Sequence, residues 1–220
     1  MASFFNLTLD TTAPAVLTLK LNNGAAYATS TAVTATIGLT DSVTTGYQMK
    51  IWGVAGAATE AEAAWATFVK SKAITLTTGD GQKTVSIKVR DDVGNETATV
   101  TAKITLDTAV PVVTITGPDK SKISKVATFN VSAFSFSANA DFEEYKIKVV
   151  PSESSLENAG TQIPVTSGST NTSGTEGGYK ADTAINVTIN GADLEAASSG
   201  DGVKIIKVFV KNAAGTWSVA

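Results

Sequence analysis

The amino-acid sequence contains one unit written twice, and this repetition limits the chain to a tandem of related domains. Three pairs of segments match: residues 9–14 (LDTTAP) with 106–111 (LDTAVP), residues 47–52 (YQMKIW) with 145–150 (YKIKVV), and residues 89–94 (VRDDVG) with 210–215 (VKNAAG). The offset is 97 residues for the first pair (9 to 106), 98 for the second (47 to 145) and 121 for the third (89 to 210), so the second copy contains an insertion. Repeats duplicate a scaffold more readily than an active site, which favours structural or binding modules.

In both copies apolar residues alternate with polar ones, which is typical of strands with one buried face. The matched inward positions are Val85, Ile87 and Val89 in the first copy and Ile206, Val208 and Val210 in the second. Turn sequences such as residues 79–81 (GDG) separate the strands. The pattern predicts an all-β chain of two tandem antiparallel β-sandwich domains, residues 10–107 and 108–220, preceded by an N-terminal arm of residues 1–9.

Two segments depart from the strand pattern. Residues 59–69 (TEAEAAWATFV) begin with a Thr-x-x-Glu capping box and continue with good helix formers, so they predict one short helix inserted in the first domain. Residues 152–178 are rich in Ser, Thr, Gly and Asn and predict a long exposed loop in the second domain. Such a loop is either a recognition surface or an unconstrained connection.

The composition excludes several classes of function. The sequence contains no cysteine and no histidine, so it lacks the thiol nucleophile, the usual general base and the commonest zinc ligands. We expect a protein that is not an enzyme and has no cofactor and no metal site. A net charge of −3 argues against a nucleic-acid partner. No apolar run approaches the ~20 residues that span a bilayer, and no signal-peptide pattern is present, so we expect no membrane partner.

One turn of the first copy carries several oxygen ligands of the kind that calcium takes. The turn contains Asp91, Asp92, Asn95 and Glu96, and the second copy has Asn212, Ala213, Thr216 and Trp217 at these positions. Because the acidic residues are not shared, the repeat does not support a common metal site. We expect a solvated turn.

The two ends of the sequence suggest how molecules associate. Residues 4–10 (FFNLTLD) align with 101–107 (TAKITLD), the last strand of the first copy, whereas the second copy stops shortly after Trp217. We therefore expect an unpaired sheet edge in the second domain, which is a template for strand addition. One hypothesis is that residues 3–9 of one molecule complete the second domain of another. The alternative is that residues 1–9 fold back onto the first domain or bind a different partner.

Apolar side chains at outward or unpaired strand positions form the candidate interface. Trp52, Ile205 and Phe209 lie at the outward phase of strands whose inward positions are already apolar. Phe4 and Phe5 are adjacent, so in a strand they face opposite sides. The candidate interface residues are Phe4, Phe5, Leu7, Leu9, Trp52, Ile205, Phe209 and Trp217.

Three strings of the first copy carry a family resemblance: residues 9–14 (LDTTAP), 22–27 (NNGAAY) and 79–96 (GDGQKTVSIKVRDDVGNE). Together they resemble the bacterial immunoglobulin-like repeats that are common in tailed-bacteriophage virion proteins and in bacterial surface proteins. The resemblance covers nearly all of residues 9–107, whereas residues 108–220 match mainly by strand phase and by residues 212–215 (NAAG). It implies an immunoglobulin-like sandwich in each domain and carries over no catalytic residues.

The resemblance implies a non-enzymatic structural or accessory virion protein that decorates the capsid or tail exterior and binds host-surface glycans weakly. Its partners would be other virion proteins and a second copy of itself. The alternative is an immunoglobulin-like module of a bacterial surface or secreted adhesin. The lack of a signal-peptide pattern favours the virion, because phage structural proteins are made in the host cytoplasm.

Overall fold

The computed structural model describes residues 5–15, 17–125, 131–163 and 178–219. The chain divides into two compact units, Met1–Thr108 (unit 1) and Ala109–Ala220 (unit 2). Nearly all regular structure in the described residues is β-strand, arranged in sheets that pack face to face. The predicted all-β sandwich class is therefore confirmed.

Unit 1 is a sandwich of two sheets. Its strands, in chain order, are β1 (Thr18–Leu21), β2 (Tyr27–Ala28), β3 (Ala32–Gly38), β4 (Gln48–Trp52), β5 (Ala66–Thr67), β6 (Ser71–Thr75), β7 (Gly81–Arg90) and β8 (Val100–Leu106). One sheet has the order β1-β3-β6, and the other has the order β2-β8-β7-β4-β5. The short strand β2 runs parallel to β8, and the other pairs of unit 1 are antiparallel.

The core of unit 1 lies between its two sheets and follows the alternation of the sequence. The fully or nearly fully buried positions include Val33, Ala35 and Ile37 on β3, Val85, Ile87 and Val89 on β7, and Ile104 and Leu106 on β8. A shift of one residue would turn every one of these side chains to the opposite face. The inward phase predicted for β7 is therefore confirmed, and β3 and β8 alternate in the same way.

The helix predicted for residues 59–69 does not form. The segment makes a single turn, in which the Thr59 N–H donates to Glu62 Oε2 at 3.0 Å, as in a capping box. The chain then pairs as β5 with β4, and Phe68 is buried in the core. Starting a helix fixes several residues for one hydrogen bond. Here the strand pairing and the burial of Phe68 outweigh the local helix propensity.

Unit 2 is also a sandwich of two sheets. Its elements, in chain order, are β9 (Val113–Thr116), β10 (Val131–Ala138), β11 (Glu144–Val150), β12 (Thr161–Gln162), β13 (Ile185–Asn190), α1 (Gly191–Ala197) and β14 (Ile205–Lys211). The sheets have the orders β13-β10-β9 and β12-β11-β14, with antiparallel pairs throughout. An aromatic cluster of Phe136, Phe142, Tyr145 and Tyr179 fills part of the core, and the rings of Phe142 and Tyr179 stack with centroids 4.8 Å apart.

Among the described residues the short α-helix lies in unit 2, not in the first domain where the sequence predicts it. Helix α1 follows β13 directly, and Asn190 caps it by accepting a hydrogen bond from the Ala192 N–H at 2.8 Å. Leu194 and Ala197 of α1 pack against the core of unit 2. No helix in the described part of the chain is long and apolar enough to cross a membrane.

The predicted loop of residues 152–178 is packed against unit 2 over its first part. Lys207 Nζ of β14 donates to the carbonyl oxygens of Glu153 at 2.7 Å and Ser155 at 2.8 Å, which holds the segment on the outer face of the sheet. The chain then forms β12. Residues 152–163 are mostly exposed, as expected for the predicted loop, except that Ser155 and Ile163 are buried and residues 161–162 pair as β12. Residues 164–177 lie outside the described residues.

Candidate interaction surface

Strands β7 and β14 are counterparts in the repeat, and each is followed by a turn of the same kind. In unit 1 Arg90 forms a bridge with Glu96, and in unit 2 Lys211 forms a bridge with Trp217. Unit 1 then continues into β8, which pairs with one side of β7, while β4 pairs with the other. In unit 2 β11 takes the place of β4, but among the described residues no named strand pairs with the β8 side of β14. We call this side the open edge.

The open edge shortens β14. Strand β7 begins at Gly81, whose counterpart is Gly202, but β14 begins only at Ile205. Residues 81–85 of β7 pair with β8 alone, because β4 reaches only the later part of the strand. Residues 202–204 therefore lack the strand partner that their counterparts have.

An apolar groove of about 690 Å³ lies beside the start of β14. Its walls include Ile115 of β9, Phe134 of β10, Ile189 of β13 and Ile206 of β14. The counterpart of Ile206 in unit 1 is Val85, which faces Ala102 of β8 in the register and is fully buried. Ile206 is only partly buried. The groove therefore exposes a part of unit 2 that a strand covers in unit 1.

The arm of residues 5–9, the first described residues of unit 1, forms no strand and is highly exposed. Phe5, Leu7 and Leu9 are 85%, 86% and 86% exposed. If a partner covered these three large apolar side chains, the burial of each would contribute about 1.5–3 kcal/mol to the free energy of association. The arm thus has apolar side chains at alternate positions, and no surface in the described part of the chain covers them.

The turn after β7 holds the first residues of unit 1 in place. The Asp91 carboxylate accepts hydrogen bonds from the Asn95 N–H and Nδ2, each at 2.8 Å, and from the Val93 N–H at 3.0 Å. Asn95 Nδ2 also donates to the carbonyl oxygen of Asp10 at 3.3 Å. Burial raises the pKa of Asp91, but the hydrogen bonds from Asn95 and Val93 outweigh it and hold this pKa below its ordinary value.

The matching turn of unit 2 uses a different donor. Asn212 Oδ1 accepts from the Thr216 N–H at 2.8 Å, and Asn212 Nδ2 donates to the carbonyl oxygen of Ala109 at 3.2 Å. The solvated turn that the sequence predicts is wrong for Asp91, which is 4% exposed. Among the described residues no three His, Cys, Asp or Glu side chains gather as metal ligands. Both turns fasten a linker segment to the end of the sheet.

The candidate interface residues fall into three groups. Phe5, Leu7 and Leu9 form the exposed arm, and Phe4 lies outside the described residues. Trp52, Ile205 and Trp217 are partly buried, Ile205 being on β14 and Trp217 in the turn after it. Lys146 Nζ lies 4.2 Å from the centroid of the Trp217 ring, an attractive cation–π contact.

Phe209 is a correction, because it is fully buried. Simple alternation places it on the outward face of β14, as predicted. The segment around Glu153 and Ser155 covers that face, and Lys207 Nζ lies 5.2 Å from the Phe209 ring. Phe209 therefore belongs to a second buried layer and is not available to a partner.

The sequence interpretation missed Val203 and the groove residues. Val203 is 96% exposed and lies in the unpaired stretch that precedes β14. The signal was present in the repeat, because residues 79–81 (GDG) return as residues 200–202 (GDG) at the same offset of 121 (79 to 200) as β7 and β14. Comparison of the two hairpins shows that the counterpart of Val203 in the first copy, Gln82, lies in strand β7. Phe134 and Ile115 required the sheet packing to be known.

No protein-family model matches the sequence, and no curated protein matches it. Among solved structures the chain is similar to one described as "Chitinase ChiA74 from Bacillus thuringiensis", with 15% sequence identity and a TM-score of 0.32. The match covers 92% of this chain and 30% of that chain, so this chain spans less than a third of that protein's length. A likeness this weak carries no conclusion about the fold or activity of this chain.

Proposed function

We propose that this chain is a non-enzymatic structural protein of a tailed-bacteriophage virion, on the exterior of the capsid or tail. The observation that supports an assembly role most is the open edge of β14 beside the apolar groove. An open edge presents unpaired backbone N–H and C=O groups, which bind another polypeptide by strand addition. The virion location rests on the resemblance of residues 9–107 to immunoglobulin-like repeats.

The strand order supports the immunoglobulin-like interpretation of that resemblance. Unit 1 places β1, β3 and β6 in one sheet and β4, β7 and β8 in the other. This is the division of the first, second and fifth against the third, sixth and seventh strands in immunoglobulin sandwiches. Such domains serve many functions, so the order supports the scaffold and leaves the function to the surfaces.

The chemistry of the groove supports a binding role over a catalytic one. Its lining contains Lys120, Lys122 and Lys204 but no Asp or Glu. Hydrolysis of a glycan uses a pair of carboxylic acids, and the chain has no histidine to act as an alternative base. Weak binding of host-surface glycans is a further part of the proposal, for which Trp52 and Trp217 offer partly exposed rings.

The experiment is quantitative mass spectrometry of purified particles of a phage that encodes this chain. We expect the chain in intact virions at a fixed number of copies per particle. We also expect it to stay bound at high salt, because apolar contacts and strand pairing are screened little by ions. Particles that lack the chain would overturn the proposal. Recovery of the chain from the bacterial envelope instead would favour the adhesin.

A further inference from the structure

The open edge and the groove need a strand with a particular side-chain pattern, and unit 1 shows which one. There, β8 pairs with β7 and buries Ile104 and Leu106, each 1% exposed, while Thr101 and Lys103 between the inward positions remain exposed. A strand that completes unit 2 in the same way must be extended, must place apolar side chains at alternate positions and must end near Gly202.

The arm has this pattern. Residues 5–9 (FNLTL) align with residues 102–106 (AKITL) at the offset of 97 that relates the following linkers, so Leu7 and Leu9 are the counterparts of Ile104 and Leu106. All three inward candidates of the arm are exposed. The arm cannot occupy the same position in unit 1, because β8 already pairs with that side of β7.

We propose that residues 5–9 of one copy pair as an antiparallel strand with β14 of a second copy and place Phe5, Leu7 and Leu9 in its groove. Copies of the chain then join head to tail. A contact of this kind is heterologous, so it produces a ring if the rotation closes and a filament if it does not. The proposal does not depend on the virion location, because it concerns the purified chain alone.

The repeat assigns the register of this pairing. In unit 1 Gly81 faces Leu106, Lys83 faces Ile104 and Val85 faces Ala102. The counterparts place Gly202 opposite Leu9, Lys204 opposite Leu7 and Ile206 opposite Phe5. In this register the aromatic ring of Phe5 meets the partly exposed Ile206, and the exposed Val203 lies opposite Thr8.

A polar contact of unit 1 supports the same register. Asp80 Oδ1 accepts hydrogen bonds from the Thr108 N–H at 3.0 Å and from Thr108 Oγ1 at 2.8 Å, which fastens the end of β8 to the hairpin before β7. The counterparts of these two residues are Asp201 in unit 2 and Thr11 just after the arm. Both halves of the fastening are therefore present, one at each end of the proposed junction.

The first experiment measures the mass of the full chain in solution over a range of concentrations by light scattering. We expect association that Leu7→Lys weakens about tenfold or more, because a positive charge would enter an apolar groove whose charged lining residues are Lys120, Lys122 and Lys204. Asn6→Lys is the matched control: it adds the same charge in the exposed arm at an outward position, and we expect association to stay within about twofold of the unchanged chain. A full chain that stays monomeric, or equal effects of the two substitutions, would overturn the proposal.

The second experiment tests the register and distinguishes two chains from one. The chain has no cysteine, so Thr8→Cys in one preparation and Val203→Cys in another give a mixture in which a disulfide joins two chains in the proposed register. Asn6→Cys replaces Thr8→Cys as the control, two positions out of register, and we expect a several-fold lower yield. A third sample is one chain that carries both Thr8→Cys and Val203→Cys. If a disulfide forms within this chain but not in the mixture, the groove is occupied by the chain's own arm and the proposal is overturned. The proposal is also overturned if neither sample forms the disulfide.

Discussion

Exchanging the turn of unit 1 for the turn of unit 2 tests whether the two copies fasten their linkers in equivalent ways. In unit 1 the donor to the linker is the Asn95 amide, which the Asp91 carboxylate orients. In unit 2 the donor is the Asn212 amide at the counterpart position of Asp91, and Thr216 replaces Asn95. The double substitution Asp91→Asn with Asn95→Thr converts the first arrangement into the second.

Each single substitution should be costly. Asp91→Asn turns a carboxylate oxygen into an NH2 group facing the Asn95 amide, so a hydrogen bond to a charged group, worth about 1.5–3 kcal/mol, is lost. Asn95→Thr removes a donor from the buried carboxylate and from the linker carbonyl, at about 1–2 kcal/mol. In the double variant the new amide takes over the linker contact. We expect it to cost at least about 1 kcal/mol less than the two single costs together.

The assay is hydrogen exchange of the backbone amides of β7, read by mass spectrometry, because these amides report the opening of unit 1 alone. A difference of about 1.4 kcal/mol changes the exchange rate tenfold when exchange follows the opening equilibrium. The reciprocal exchange in unit 2, Asn212→Asp with Thr216→Asn, is the matched control; its effect is read in the amides of β14 and should show coupling of the same sign. Costs that add to within about 0.5 kcal/mol would refute the reasoning.

Three further predictions concern the core and turns of unit 1. Because hydrogen bonds hold the folded pKa of Asp91 below its ordinary value, its stabilisation is complete above the ordinary pKa and is lost as pH falls through the folded pKa; Asp91→Asn should flatten this acid dependence in thermal melts. Ile104→Ala should cost about 2–5 kcal/mol in urea unfolding of unit 1, and a cost under about 1 kcal/mol would mean that β8 is not part of the core. Gly53→Ala should cost about 2–4 kcal/mol, since its Cβ would collide with the Thr84 carbonyl oxygen, whereas Gly56→Ala, at the same positive φ in open space, should cost about 1 kcal/mol; equal losses in β7 exchange would contradict the collision.

The inward faces of β7 and β14 could be predicted because a strand has a side-chain period of two, and the repeat supplies two independent readings of the same phase. The same comparison predicted an unpaired edge in the second domain, and among the described residues only the turn at Trp217 and Ser218 bonds to that side of β14, at Lys211 and Val210. The open edge was therefore within reach of the sequence. Its groove was not, because Ile115, Phe134 and Ile206 come from three strands that meet only in the packed sandwich.

Local propensity was misleading where tertiary contacts compete with it. Residues 59–69 have a capping box and helix formers, but strand pairing and the burial of Phe68 leave a single turn and no helix. Helix α1 follows a strand directly, and Asn190 is its cap, a signal that the sequence does carry. Phe209 has the outward phase, yet the segment near Ser155 covers it.

The all-β class, the duplicated unit, the phase of the main strands and the apolar alternation of the arm could all be predicted from the residues alone. These follow from periodicity and repetition, which are local properties of the chain. Three features became visible only in the folded chain: residues 59–69 are not a helix, Phe209 is buried, and an apolar groove lies beside β14. Each of these features depends on which distant segments pack together, and the free energy of that packing cannot be inferred from any one stretch of residues.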